Sequence, residues 1–108
     1  MKAVVQRVRE ASVVVDGAVT GSIVQGLLVY LGVARDDREK DAEWIAEKVA
    51  NLRIFKDTQG KMNFSLLDIT SQRKKGESPP GVLAISQFTL IADASKGRRP
   101  FYGEAARP

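Results

Sequence analysis

Three residues that can do chemistry stand where a buried strand would ordinarily carry Val or Ile. In Gly81–Ala92, "GVLAISQFTLIA", Ser86, Gln87 and Thr89 interrupt an apolar run. Burying a hydroxyl or an amide without a partner costs roughly 1–3 kcal/mol. These groups therefore either pair internally or face a pocket that holds something else. Read as one regular strand over 82–92, Gln87 and Thr89 share one face, and Ser86 and Phe88 share the other. An amide and a hydroxyl on one face can hold a carbonyl, an ester or a nucleotide edge.

Two flanking segments add binding chemistry. Lys96, Arg98 and Arg99 surround Gly97 in "SKGRRP" directly after this stretch. Guanidinium groups beside a residue that lets the backbone approach suit phosphate oxygens. Upstream, "GKMNFSL" offers Lys61, Met62 and Phe64, a cation with apolar surfaces on which a base can stack.

The composition excludes other chemistries. The chain has no His and no Cys, so it holds no Ser-His-Asp triad, no Cys-His pair and no disulfide framework. No carboxylates stand at a metal-loop spacing. The acidic residues of 36–43 are read as helix-end electrostatics rather than a cation site. The net charge of +4 is uneven. Residues 1–52 carry 7 basic and 8 acidic side chains, whereas residues 53–108 carry 10 and 5. A basic half points to an anionic partner such as nucleic acid. No apolar run approaches the roughly 18 residues of a membrane span, and "MKAVVQRV" shows no signal-peptide pattern.

The elements that must position these residues follow from periodicity. "MKAVVQRV" and "ASVVVDGAVTGSIV" alternate and predict strands, with Asp16-Gly17 as a two-residue hairpin turn. "GLLVYLGVA" predicts a central strand covered on both faces. Ala42, Ile45, Val49 and Leu52 form one helical stripe in the segment that follows, with Asp36 or Asp37 as its cap. "RIFKDTQGKMNFSLLDI" predicts a strand, a turn at 57–60 and a second extended segment. "TSQRKKGESPPG" predicts a polar loop, and 103–108 the start of another helix. At 108 residues, with no linker or repeat, this is one α+β domain with a helix packed on a mixed or antiparallel sheet.

"SQFTL" followed by "KGRRP", preceded by "GKMN" and "NLRIF" and opening with "MKAVVQRV", resembles the bacterial and eukaryotic D-aminoacyl-tRNA deacylase family along the whole chain. The resemblance implies a β-rich α/β fold, a cytoplasmic homodimer, and no metal or organic cofactor. It implies hydrolysis of the ester joining a D-amino acid, or mischarged glycine, to the 3′ adenosine of tRNA. Ser86, Gln87, Phe88 and Thr89 match the family's active-site strand. Thr89 as nucleophile is one reading. The other has protein atoms position the ester while the terminal ribose hydroxyl and a water react, because a Thr hydroxyl is weak without an activating base. On the latter reading Ser86, Gln87 and Thr89 are catalytic, Phe88, Lys61, Met62 and Phe64 bind substrate, and Lys96, Arg98 and Arg99 bind tRNA. The family's C-terminal Asn-x-Gly-Pro-Val-Thr signature is absent from this sequence, "RRPFY" replaces the more typical "RRPSF", and the loop 70–81 is longer than usual. The missing signature suggests a C-terminally truncated form, with a tRNA- or RNA-binding remnant or a non-functional fragment, either one lacking turnover, as the alternative reading.

Overall fold

The computed structural model describes residues 1–108. A three-stranded sheet, ordered β1-β4-β7, organises the chain. Its strands are β1 (Lys2–Val8), β4 (Gly26–Gly32) and β7 (Gly81–Ser86), with β2 (Ala11–Val15) and β3 (Ala18–Ile23) forming a separate hairpin. β4 pairs antiparallel with β1, Lys2 opposite Gly32, and parallel with β7, Leu31 opposite Ser86. The parallel pairing requires a long crossover, and residues 33–80 supply it. That crossover holds α1 (Glu39–Asn51), a two-stranded unit of β5 (Phe55–Lys56) and β6 (Met62–Phe64), and α2 (Leu66–Gln72). The mixed α+β class is as expected.

The core lies on the crossover side of the sheet. Leu27 and Val29 of β4 meet Val49 of α1, Phe55 of β5 and Leu66 of α2, with Ala3, Val5, Ile45 and Ile69 packed around them. On the other face the hairpin leans over β7. A Cβ at Gly21 would lie 3.0 Å from Leu83, and one at Gly81 would lie 2.8 Å from Ile23. β4 is thus central, but its second face is only half-buried at Leu28 and Tyr30. The Asp16-Gly17 turn has φ of 50° and 79°. Positive φ at both positions is the mirror-image turn whose twist suits a hairpin.

Four expectations are corrected. Asp36 and Asp37 do not cap α1. Arg38 occupies the cap position, and its N–H donates to the Asp41 carboxylate at 2.8 Å. Asp37 instead accepts from the Ala34 N–H and pairs with the α-amino group of Met1 at 2.6 Å, contacts that hold its carboxyl below the usual range, the amino group contributing most. Residues 66–72 form a helix rather than extended chain and loop. Ser65 Oγ accepts from the Asp68 N–H at 3.1 Å while the Ser65 N–H donates to Asp68 at 2.9 Å, a reciprocal cap that starts a helix. Residues 103–108 do not begin a helix; Ala105 bridges to Ala34, and the Ala106 N–H donates to Val33. The strand from Val82 stops at Ser86 instead of running to Ala92. No helix is long and apolar enough to cross a membrane.

Candidate active site

The parallel ladder ends with one more bond, the Gln87 N–H donating to the Leu31 carbonyl at 2.8 Å. The chain then turns through a 3₁₀ helix, η1 (Phe88–Leu90), closed by Leu90 N–H to Gln87 C=O at 3.2 Å. The reason is packing at the end of β4. Gly32 leaves room for Leu90 and Ile91, and a Cβ there would meet Leu90 at 2.8 Å and Ile91 at 3.2 Å. Burying Ile91 against that glycine draws the chain out of the sheet.

The turn gathers the polar residues differently from a strand. Gln87 Nε2 donates to Thr89 Oγ1 at 2.5 Å in a half-buried setting. Phe88 points outward, 56% exposed, and meets Tyr102 edge-to-face with ring centroids 5.5 Å apart. Ser86 and this aromatic pair wall a cleft of about 540 Å³, completed by Val33, Ala105, Ala106, Arg107 and Pro108. Tyr102 and Arg107 were not among the sequence-derived candidates. The signal available for Tyr102 was an aromatic directly after the basic loop, in "RRPFY".

The donation from Gln87 occupies one lone pair of the Thr89 oxygen and leaves its proton free for a carbonyl oxygen. No carboxylate lines the cleft, and the chain has no His. Gln87 and Thr89 do not themselves line the cleft, although their neighbours Ser86 and Phe88 do. The Thr89 hydroxyl has Gln87 as its side-chain partner and no base placed to take its proton. No group of three or more His, Cys, Asp or Glu converges anywhere to hold a metal ion.

Lys96, Arg98 and Arg99 sit in a loop pinned at its base by the Asp93–Phe101 bridge, with N–H···O bonds of 2.8 and 2.7 Å. Asp93 also accepts from the Ser95 N–H at 2.9 Å, and its contacts with Ser95, the side chain's first, hold its carboxyl below the usual range. All three cations are exposed and none is ion-paired. Because Phe101 precedes Tyr102, the loop is rooted beside the cleft.

Lys61, Met62 and Phe64 do not line that cleft. Phe64 packs against the core, Met62 is exposed, and Lys61 ends a turn in which its N–H donates to Asp57 at 3.0 Å. The N–H groups of Lys61 and Gln59 and the Asn63 amide lower the Asp57 pKa, Lys61 contributing most.

A family model described as D-Tyr-tRNA(Tyr) deacylase matches residues 4–108. D-aminoacyl-tRNA deacylases from Geobacter metallireducens and Kosmotoga olearia are each 56% identical over 108 residues, all of this chain and 66% and 67% of theirs. The Bacillus thuringiensis protein of the same name is 53% identical over the same span, 68% of its length. The chain thus spans about two thirds of the length of these relatives. Among solved structures, a c-Myc DNA Unwinding Element Binding Protein superposes with a TM-score of 0.80 at 39% identity, covering 99% of this chain and 66% of that one. The chain belongs to the D-Tyr-tRNA(Tyr) deacylase family.

Proposed function

We propose that the protein hydrolyses the ester bond of D-aminoacyl-tRNA, and of glycine mischarged on tRNA, as chiral proofreading in translation. Water adds to the ester carbonyl carbon, the bond to the ribose oxygen breaks, and that oxygen takes up a proton. The products are free D-amino acid and tRNA. The observation that carries this reading is the Gln87–Thr89 hydrogen bond beside a cleft with an aromatic wall and no protein base. Thr89 donates toward the carbonyl oxygen, Gln87 fixes Thr89, and Phe88 gives the terminal adenosine an apolar surface. Ser86 adds a hydroxyl at the cleft wall, and the terminal ribose hydroxyl with a water supplies the reacting proton. An aminoacyl ester is already reactive, so orientation and preorganised hydrogen bonds supply much of what is needed.

Lys96, Arg98 and Arg99 take phosphates of the incoming 3′ end. Lys61 and Met62, exposed on the β5–β6 unit, stay as secondary contacts to the nucleic acid. The family resemblance supports a cytoplasmic homodimer acting without a cofactor. The test is release of D-tyrosine from D-Tyr-tRNA. A rate well above the buffer-catalysed one is expected; a rate equal to buffer would refute the reading.

A further inference from the structure

A second cleft, of about 370 Å³, opens between the end of β1 and β5. Arg7, Arg9 and Lys56 converge on it, with Gln25, Val8 and Phe55. No carboxylate lines it, and none of its cations is ion-paired. The two acidic residues adjacent in sequence are turned to other surroundings. Glu10 lines a different cleft with Ser12 and Ser22, and Asp57 is taken up by the N–H groups of Gln59 and Lys61 and the Asn63 amide. Arg7 is also preorganised, since its Nη1 donates to the Ile54 carbonyl at 2.6 Å and its remaining N–H groups stay free. Phe55, only 3% exposed, puts apolar core behind the charges, a low-dielectric wall that strengthens their field toward solvent. Like charges gathered this way repel one another. An anion removes that conflict.

We propose that this cleft binds phosphodiester groups of an RNA at a distance from the Ser86–Thr89 cleft. Arg7 stands opposite Leu27 of β4 and Ser86 opposite Leu31, so the two lie toward opposite ends of the sheet. Four residues at about 3.3 Å each separate them by roughly 13 Å along the strands. One small ligand does not fill both; a polynucleotide does. RNA is favoured over an acidic protein because the inference rests on the tRNA reading above, and a guanidinium fork matches phosphate oxygens.

The test is binding of deacylated tRNA across a salt series, comparing wild type with an Arg9→Gln, Lys56→Gln double variant. Arg7 is left intact because it ties β1 to Ile54. Loss of two phosphate contacts should flatten the log-affinity against log-salt slope by roughly 1.4 to 1.8. Hydrolysis of a short D-aminoacyl-adenosine ester, which cannot reach the cleft, should be unchanged. An unchanged slope, or no binding of deacylated tRNA by wild type, overturns the proposal. A double variant that binds polyglutamate less tightly than wild type while binding tRNA equally well also overturns it, in favour of an acidic protein partner. Failure of the short ester to react would count against the deacylase reading alone, because the slope is measured without any ester.

Discussion

Thr89 accepts a hydrogen bond from Gln87 and keeps its own proton free to donate, and that asymmetry sets what each residue should do on substitution. On the proposed mechanism Thr89→Ala removes a positioning donor but no nucleophile. Turnover of D-Tyr-tRNA should fall by about 10²-fold, the scale of a misplaced reactant, and Thr89→Ser should restore most of it. Total loss with Ala and no recovery with Ser would contradict the positioning role. The presence of polar chemistry at 86–89 was legible because Ser, Gln and Thr break an apolar run. Its geometry was not. Strand alternation gives Gln87 and Thr89 a common face, whereas η1 makes them partners in one turn. What selects the turn is Ile91 seated against Gly32, a contact between residues 59 apart in sequence, and such distant packing overrides local pattern.

At the level of elements, the hairpin and α1 were legible because each carries a strong local signal, Asp-Gly between alternating strands in one and a stripe at helical spacing in the other. α2 was missed because seven residues are too few to show a period. Its signature was the Ser65-x-x-Asp68 cap instead. That cap makes a pH prediction. Hydrogen bonds from Ser65, the backbone N–H foremost, hold the Asp68 carboxyl below its ordinary value of 3.8. The unfolded chain therefore binds more protons in that range, and stability rises with pH. The contribution should be fully present above the ordinary value and lost as pH falls through the native one. Asp68→Asn should flatten the acid limb of the melting temperature against pH; an unaltered limb would show that the cap carries no charge-dependent stability. Where β4 begins, Gly26 has φ of 156°, and a Cβ there would lie 1.9 Å from the Gly81 carbonyl oxygen. Gly26→Ala should therefore destabilise by about 3 kcal/mol or more, read as a collapse of the unfolding midpoint. A shift under 1 kcal/mol would mean that the β4–β7 junction is loose.

Taken whole, the molecule is long and thinly cored. Its radius of gyration is 16.3 Å, against about 13 Å for an average domain of this length. Only 9 of 108 residues are buried. The sequence conveyed the total apolar content, but not that so much of it would stay at the surface, because burial depends on how the layers stack. The same shape keeps the basic loop on an open surface, with no carboxylate paired to Lys96, Arg98 or Arg99. That predicts a salt effect on tRNA binding. Replacing Arg98 and Arg99 together by Ala should flatten the log-affinity against log-salt slope by roughly 1.4, at about 0.7 for each single-strand phosphate contact. An unchanged slope would make the two arginines structural.

The most direct test of the central claim is rapid-quench turnover of D-Tyr-tRNA, following D-tyrosine release and the mass of the intact protein at each time point. The account predicts release from the first turnover with the protein mass unchanged throughout. Absence of release, or a transient tyrosyl adduct mapping to Thr89, would contradict it.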